Sequence, residues 1–406
     1  MNNSRTWMNR AVEILHPKMA VARAVSVLAM VGIFAVVVAI TIGHAQTADK
    51  PGPTSQPPRT VDLTQPLTVS WRYESNQTLN LTPAVAAERV YLPLAGGTIV
   101  SLMGAHGQLN WRAEMGGELS ASPVADQTAI FVASETVQSD ATNHRATGIL
   151  RALGREGGVT QWMRALPMPL RGGLALSNGK IFGGGVDGKL YALESKTGDT
   201  LWFFDYSAPF NSQPVVSATR VFVGSEDGSL LALDEATGKL LWRFRTRGAV
   251  RGPVAVGNDV VYFGSRDGYV YAVNVTDGRL VWRKRTGAGV EAVARSGEEL
   301  LVASLDNFVY KFSFAGARVW KRRLPGRIAS QPLVTADAAL FMPFSSSSGV
   351  VLELRGGRQV NLLPAGEEIA ISASPIAVGE VVLLTTEHGL LAFTQPSEKP
   401  IIKAIE

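Results

Sequence analysis

Five histidines and no cysteine make up this chain's stock of side chains that favour transition metals. Without cysteine there are no disulfides, thiolate zinc sites or cysteine nucleophiles. His16 and His44 lie near the N-terminus, His106 and His388 fall in turns, and His144 sits in a polar stretch. No HExxH or other paired-ligand spacing joins them. Carboxylates recur in Asp187-Gly188, Asp227-Gly228 and Asp267-Gly268, but not at the spacing of a calcium loop. Each pair stands where two apolar runs need a tight hairpin, with glycine taking the positive φ. GGGVDG at 183–188 reads the same way, and no GxSxG or Walker sequence is present. The sequence therefore predicts no catalytic residue and no metal ligand.

Two further residue types recur strongly. Arginine is concentrated at Arg243, Arg245, Arg247, Arg251, Arg283, Arg285, Arg322, Arg323 and Arg327. Alternation at 243, 245 and 247 puts three on one strand face. On an outer edge they discourage strand pairing between molecules; otherwise they form a basic surface for acidic segments or lipid headgroups. Tryptophan falls at Trp71, Trp111, Trp162, Trp202, Trp242, Trp282 and Trp320, with spacings of 40, 51, 40, 40, 40 and 38 residues. One flat cofactor needs one aromatic platform, whereas seven equivalent rings suit seven structural seams.

The tryptophan period reflects a repeated unit. VFVGSEDGSLLALDEATGKLLW (221–242) aligns without a gap to 181–202 and 261–282. Each copy carries an apolar run, an Asp-Gly hairpin, a second run, a Thr-Gly or Asp-Gly turn and a strand bearing Trp. A Pro-led strand such as Pro253-Val254 follows. Four short strands every 40 residues predict propeller blades. Strand pairs start near Val90, Ile130, Ile181, Val221, Val261, Leu301, Leu340 and Val381, giving eight. The last pair lacks a Trp strand, and TVSWRY (68–73) lacks a preceding pair. The expected fold is all-β: an eight-bladed propeller of four-stranded antiparallel blades, the last closed by N- and C-terminal strands. Two departures stand out, an 11-residue excess carried by 134–148 and a copy with Asn361 in place of Trp.

Residues 24–43 form an uncharged run preceded by Arg5, Arg10, Lys18 and Arg23. Residues 1–45 are expected to be a signal peptide, cleaved after Ala45, or an N-terminal membrane anchor; translation starting at Met19 gives a signal of ordinary length. Both place the body outside the cytoplasm, in the periplasm or on the periplasmic face of the envelope. The net charge of +5 falls to +2 without these residues, so the basic balance does not point to nucleic acid. Residues 46–66 read as a Pro-rich linker, 67–393 as the propeller and 394–406 as a C-terminal tail.

The unit G-x-x-D-G-x-L-Y-A-L-D-x-x-T-G-x-x-x-W resembles the repeat of the PQQ-type propeller superfamily. One branch, the quinoprotein alcohol dehydrogenases, implies PQQ and calcium, but usually with an adjacent cysteine pair that is missing here. The other, the BamB-like outer-membrane barrel assembly factors, implies a non-catalytic scaffold. PMPLRG (167–172) is similar to that family's partner-contacting loop, which implies partner-binding roles for Leu170, Arg171 and Gly172. A second family loop is acidic before its Pro; here Phe210, Asn211, Ser212 and Gln213 precede Pro214, so Asn211 stands in it. Many BamB relatives carry a lipidated Cys at the cleavage site, where this chain has Gln46. The expected role is a protein–protein scaffold in outer-membrane protein assembly, with a BamA-like partner and no PQQ or calcium. The alternatives are a PQQ-dependent dehydrogenase and an envelope sensor or glycan-binding propeller.

Overall fold

The computed structural model describes residues 61–75, 78–140, 143–344, 346–365 and 373–396, all within one compact unit, Pro57–Glu406. The leader, the linker before residue 61 and the tail beyond residue 396 lie outside the described residues. Among those described there is no helix, hence none long and apolar enough to cross a membrane.

The strands form eight antiparallel sheets in a closed propeller. Blade IV shows the local logic, with Val215–Ser217, Arg220–Gly224, Ser229–Asp234 and Leu240–Arg245 paired in that order from the channel outward. The two middle strands are buried along almost their whole length, which is why they are written as continuous apolar runs. The inner strand after each Trp opens the following blade, and it is Pro-led, for instance, after Trp111, Trp202, Trp242 and Trp320. Blades I, II and III end in Leu109–Glu114, Thr160–Leu166 and Thr200–Asp205, and blades V, VI and VII in Leu280–Arg285, Arg318–Arg323 and Gln359–Pro364. Blade VIII joins Ile376–Val378, Val381–Thr386 and Gly389–Thr394 to the N-terminal Thr68–Glu74, closing the ring from both chain ends.

Turn chemistry follows the repeat. Asp227 Oδ1 accepts from the Ser229 amide at 2.9 Å, while Gly228 takes a φ of +87°. Asp267 and Asp306 cap their turns likewise and also accept from the Tyr271 and Tyr310 hydroxyls.

All eight outer strands carry a register shift one residue before the Trp position, as between the partners Ala232 and Leu233 opposite Trp242 and Leu240. Such a bulge twists the edge and re-aims the next side chain. Here it turns the indole into the seam with the following blade. Trp242 Nε1 donates to Val275 O in blade V at 2.8 Å, and its ring lies over Gly278. Equivalent bonds run from Trp71 to Gly104, Trp111 to Arg155, Trp162 to Ser195, Trp202 to Glu235, Trp282 to Phe314 and Trp320 to Leu354, at 2.8–3.1 Å. The core is correspondingly divided among seams: Phe222, Leu230 and Trp242 of blade IV pack with Val261, Phe263 and Tyr271 of blade V.

The seam between blades VII and VIII is filled differently. Asn361 Nδ2 donates to Gln65 O at 2.7 Å and to Leu63 O at 3.3 Å. Val61, Leu63 and Leu67 are buried there against Met342, Leu363 and Phe393. The sequence assigned residues up to 66 to a linker. Residues 61–66 belong instead to the folded body, because their apolar side chains occupy the seam that has no Trp.

Candidate functional site

The chain turns inward after each outer strand, and the residue nine positions beyond Trp162, Trp202, Trp242 and Trp282 is Arg171, Asn211, Arg251 and Glu291. Gly172, Asn211, Arg251 and Glu291 line a central cavity of about 170 Å³. Three of the four inward residues bind a charged hairpin on the preceding blade. Arg171 Nη2 meets Glu135 Oε2 of blade II at 2.6 Å. Arg251 grips Glu226 of blade IV through two bonds of 2.7 and 2.8 Å. Glu291 pairs with Arg266 of blade V, with the polarity reversed. Asn211 instead donates to Glu226 at 2.9 Å, in its own blade.

Arg251 holds the Glu226 carboxyl below its ordinary range, with Asn211 assisting and burial opposing. A polar belt continues around the channel. The Gln331 amide donates to Ser374 Oγ, the Ser374 amide to Thr82 Oγ1, the Thr82 amide to Ser122 Oγ and the Ser122 amide to Gly172 O, at 3.0–3.1 Å. These bonds tie blades VII, VIII, I, II and III at their inner strands. Among the described residues no three His, Asp or Glu side chains gather as a metal site.

Leu170, Arg171 and Gly172 begin the inner strand of blade III, Leu170–Ser177, where the family resemblance implied a loop. Leu170 is 1% exposed and packs with Leu174 and Tyr191 in the seam, so its side chain is not available to a partner. This corrects its expected contact role; strand alternation points it inward. Arg171 remains about one-third exposed, and its Nε and Nη1 bond to no described residue. Gly172 has a φ of +71°, and a Cβ there would come 2.5 Å from Asn211 O, so any larger residue displaces the next inner strand. Asn211 is part-buried and engaged with Glu226. Sequence reasoning missed Glu135 and Glu226, since their importance arises only when hairpins of neighbouring blades meet the inner strands.

The 134–148 insertion is a lengthened hairpin. Ala129–Asp140 and Asn143–Gly154 pair continuously out to Asp140 opposite Asn143. Third-strand pairing ends at Glu135 on one side and Gly148 on the other. Beyond that point the ribbon is two-stranded, with both backbone edges unpaired among the described strands. Its base is pressed against the PMPLRG segment: a Cβ on Gly148 would sit 2.4 Å from Met168 O. Insertion and Arg171 thus form one surface, joined by the Arg171–Glu135 pair.

A family model described as outer membrane protein assembly factor BamB matches residues 146–251 and 231–405, well over half of the chain. The chain belongs to that family. Among solved structures, BamB from Moraxella catarrhalis is 16% identical with a TM-score of 0.67, covering 82% of this chain and 98% of that one. The computationally designed Ika8 protein is 14% identical with a TM-score of 0.70, covering 81% and 99%. Quinohemoprotein alcohol dehydrogenase from Comamonas testosteroni is 11% identical with a TM-score of 0.67, covering 82% and 78%. At these identities the likeness is one of fold, shared by a BamB protein, a designed protein and an enzyme. No curated protein matches the sequence. Within the BamB family, the Arg171 surface coincides with the segment whose resemblance pointed to partner contact.

Proposed function

We propose that this chain is a non-catalytic, exported scaffold in outer-membrane protein assembly, docking a barrel-assembly component through the Arg171 surface and the blade II ribbon. The observation that carries this reading is their juxtaposition. A guanidinium with two donor groups that bond to no described residue, braced by Glu135, stands beside a ribbon whose edges are unpaired among the described strands. Such an edge accepts an added strand, and the fixed cation supplies a polar anchor that sets register. Membership of the BamB family supports the envelope role.

The channel chemistry argues against a quinone cofactor. A tricarboxylate quinone with calcium calls for an aromatic platform, several cations and a carboxylate cluster. The described lining has no aromatic ring, and its one arginine and one carboxylate are each already paired. The residues present do not fit that group. Replacing 137–146 by a two-residue turn is expected to abolish recovery of barrel-assembly components in envelope pull-downs while leaving the purified protein folded. Undiminished recovery would overturn the docking site.

A further inference from the structure

The outer strands of blades IV, V and VI present three similar strips: Leu241, Arg243 and Arg245; Val281, Arg283 and Arg285; Val319, Lys321 and Arg323. The blades are consecutive, since Trp242 docks on blade V and Trp282 on blade VI. Each strip therefore lies beside the next on the propeller wall. Segments 240–247, 279–285 and 318–327 contain no Asp or Glu. Among the described residues no carboxylate pairs with Arg243, Arg245, Arg285 or Arg323. Arg283 and Lys321 lie over the rings of Tyr269 and Phe308, at 5.2 and 3.6 Å from their centroids.

Edge protection does not account for this sector, because the same positions elsewhere are filled differently. Blade I has Arg112 paired with Glu114, blade II Met163 and Ala165, and blade III Phe203 and Asp205. The bulges already guard every outer strand. What is peculiar to three adjacent blades is uncompensated charge combined with exposed aliphatic side chains. Leu241, Val281 and Val319 are 43%, 54% and 47% exposed.

We propose that this wall docks onto an anionic phospholipid surface. Charge complementarity selects a polyanion, and the layout selects a surface. An acidic strand added to one edge would engage a single strip, whereas a bilayer meets all three at once and accepts their aliphatic side chains at its interface. The inference is independent of partner docking at blades II and III.

Each cation near such a surface is worth about fivefold in partition at low salt. The test measures binding of the full chain to vesicles containing phosphatidylglycerol, relative to vesicles of phosphatidylcholine alone. Any contribution of the N-terminal segment is common to all variants and divides out. R243Q/R285Q/R323Q is expected to lower the ratio on the order of a hundredfold. R112Q/K196Q/R358Q loses the same charge elsewhere and is expected to keep it; matching thermal melts verify that both variants fold. Equal ratios for the two triples would overturn the proposal, showing only non-specific attraction. So would a wild type with no preference for phosphatidylglycerol, including one that bound an acidic peptide through the same arginines.

Discussion

Gly278→Ala tests the seam mechanism directly. Gly278 has a φ of +70°, and a Cβ built there would come 2.7 Å from Trp242 Cδ2. Left-handed backbone costs an ordinary residue about 1–2 kcal/mol. Overpacking against a fixed ring adds about 1–3 kcal/mol. The expected loss is therefore about 2–5 kcal/mol in urea unfolding. Gly96→Ala separates the two terms, since Gly96 has a φ of +77° with nothing within 4 Å of its Cβ, and it should lose only about 1–2 kcal/mol. Trp242→Leu is destabilising alone, through the lost Val275 bond and the smaller ring contact with Phe222. Combined with Gly278→Ala it relieves the clash, so the double variant should be more stable than additivity predicts by about 1–3 kcal/mol. Additive losses, or a Gly278→Ala cost no greater than that of Gly96→Ala, would refute the claim that indole and glycine form one fitted unit.

Two further outcomes follow from side chains that close the ring. Asn361→Ala removes both anchors of the entering chain, and hydrogen exchange at residues 63–67 should rise several-fold while the blade IV amides stay protected; unchanged exchange there would contradict the anchoring role. The folded-state Glu226 carboxyl is held below its ordinary range by Arg251, so its stabilising effect is complete above the unfolded carboxyl's titration and is lost as pH falls through the depressed folded value. The stability gap between wild type and Glu226→Gln should shrink across that acid window, and a gap constant with pH would refute the assignment.

Much of the fold was legible because it is local and repeated. Trp spacing, Asp-Gly hairpins and the unmatched strands at both chain ends define blade number and closure without long-range information. What could not be read depended on neighbours. Val61 and Leu63 looked like linker because their partners, Met342 and Phe393, lie some 280 and 330 residues away. Leu170 was expected to make contact because PMPLRG is similar to a family loop, but here the segment enters a strand whose alternation buries the side chain. The Glu135–Arg171, Glu226–Arg251 and Arg266–Glu291 pairs join a hairpin of one blade to the segment leading the next, across a blade boundary that the repeat pattern does not show to be in contact. Asn361 was visible as a departure, although its role became clear only with the N-terminal segment in place.

The claim that this scaffold docks its partner through Arg171 is tested most directly by exchanging the charges of one pair. Glu135→Arg combined with Arg171→Glu preserves the internal ion pair and hence the fold, but reverses the charge offered outward. Capture of barrel-assembly components from envelope extracts should fall about a hundredfold, as expected when a charged anchor worth some 2–5 kcal/mol is reversed. Wild-type capture by the exchanged variant, with an unaltered melting temperature, would contradict the account.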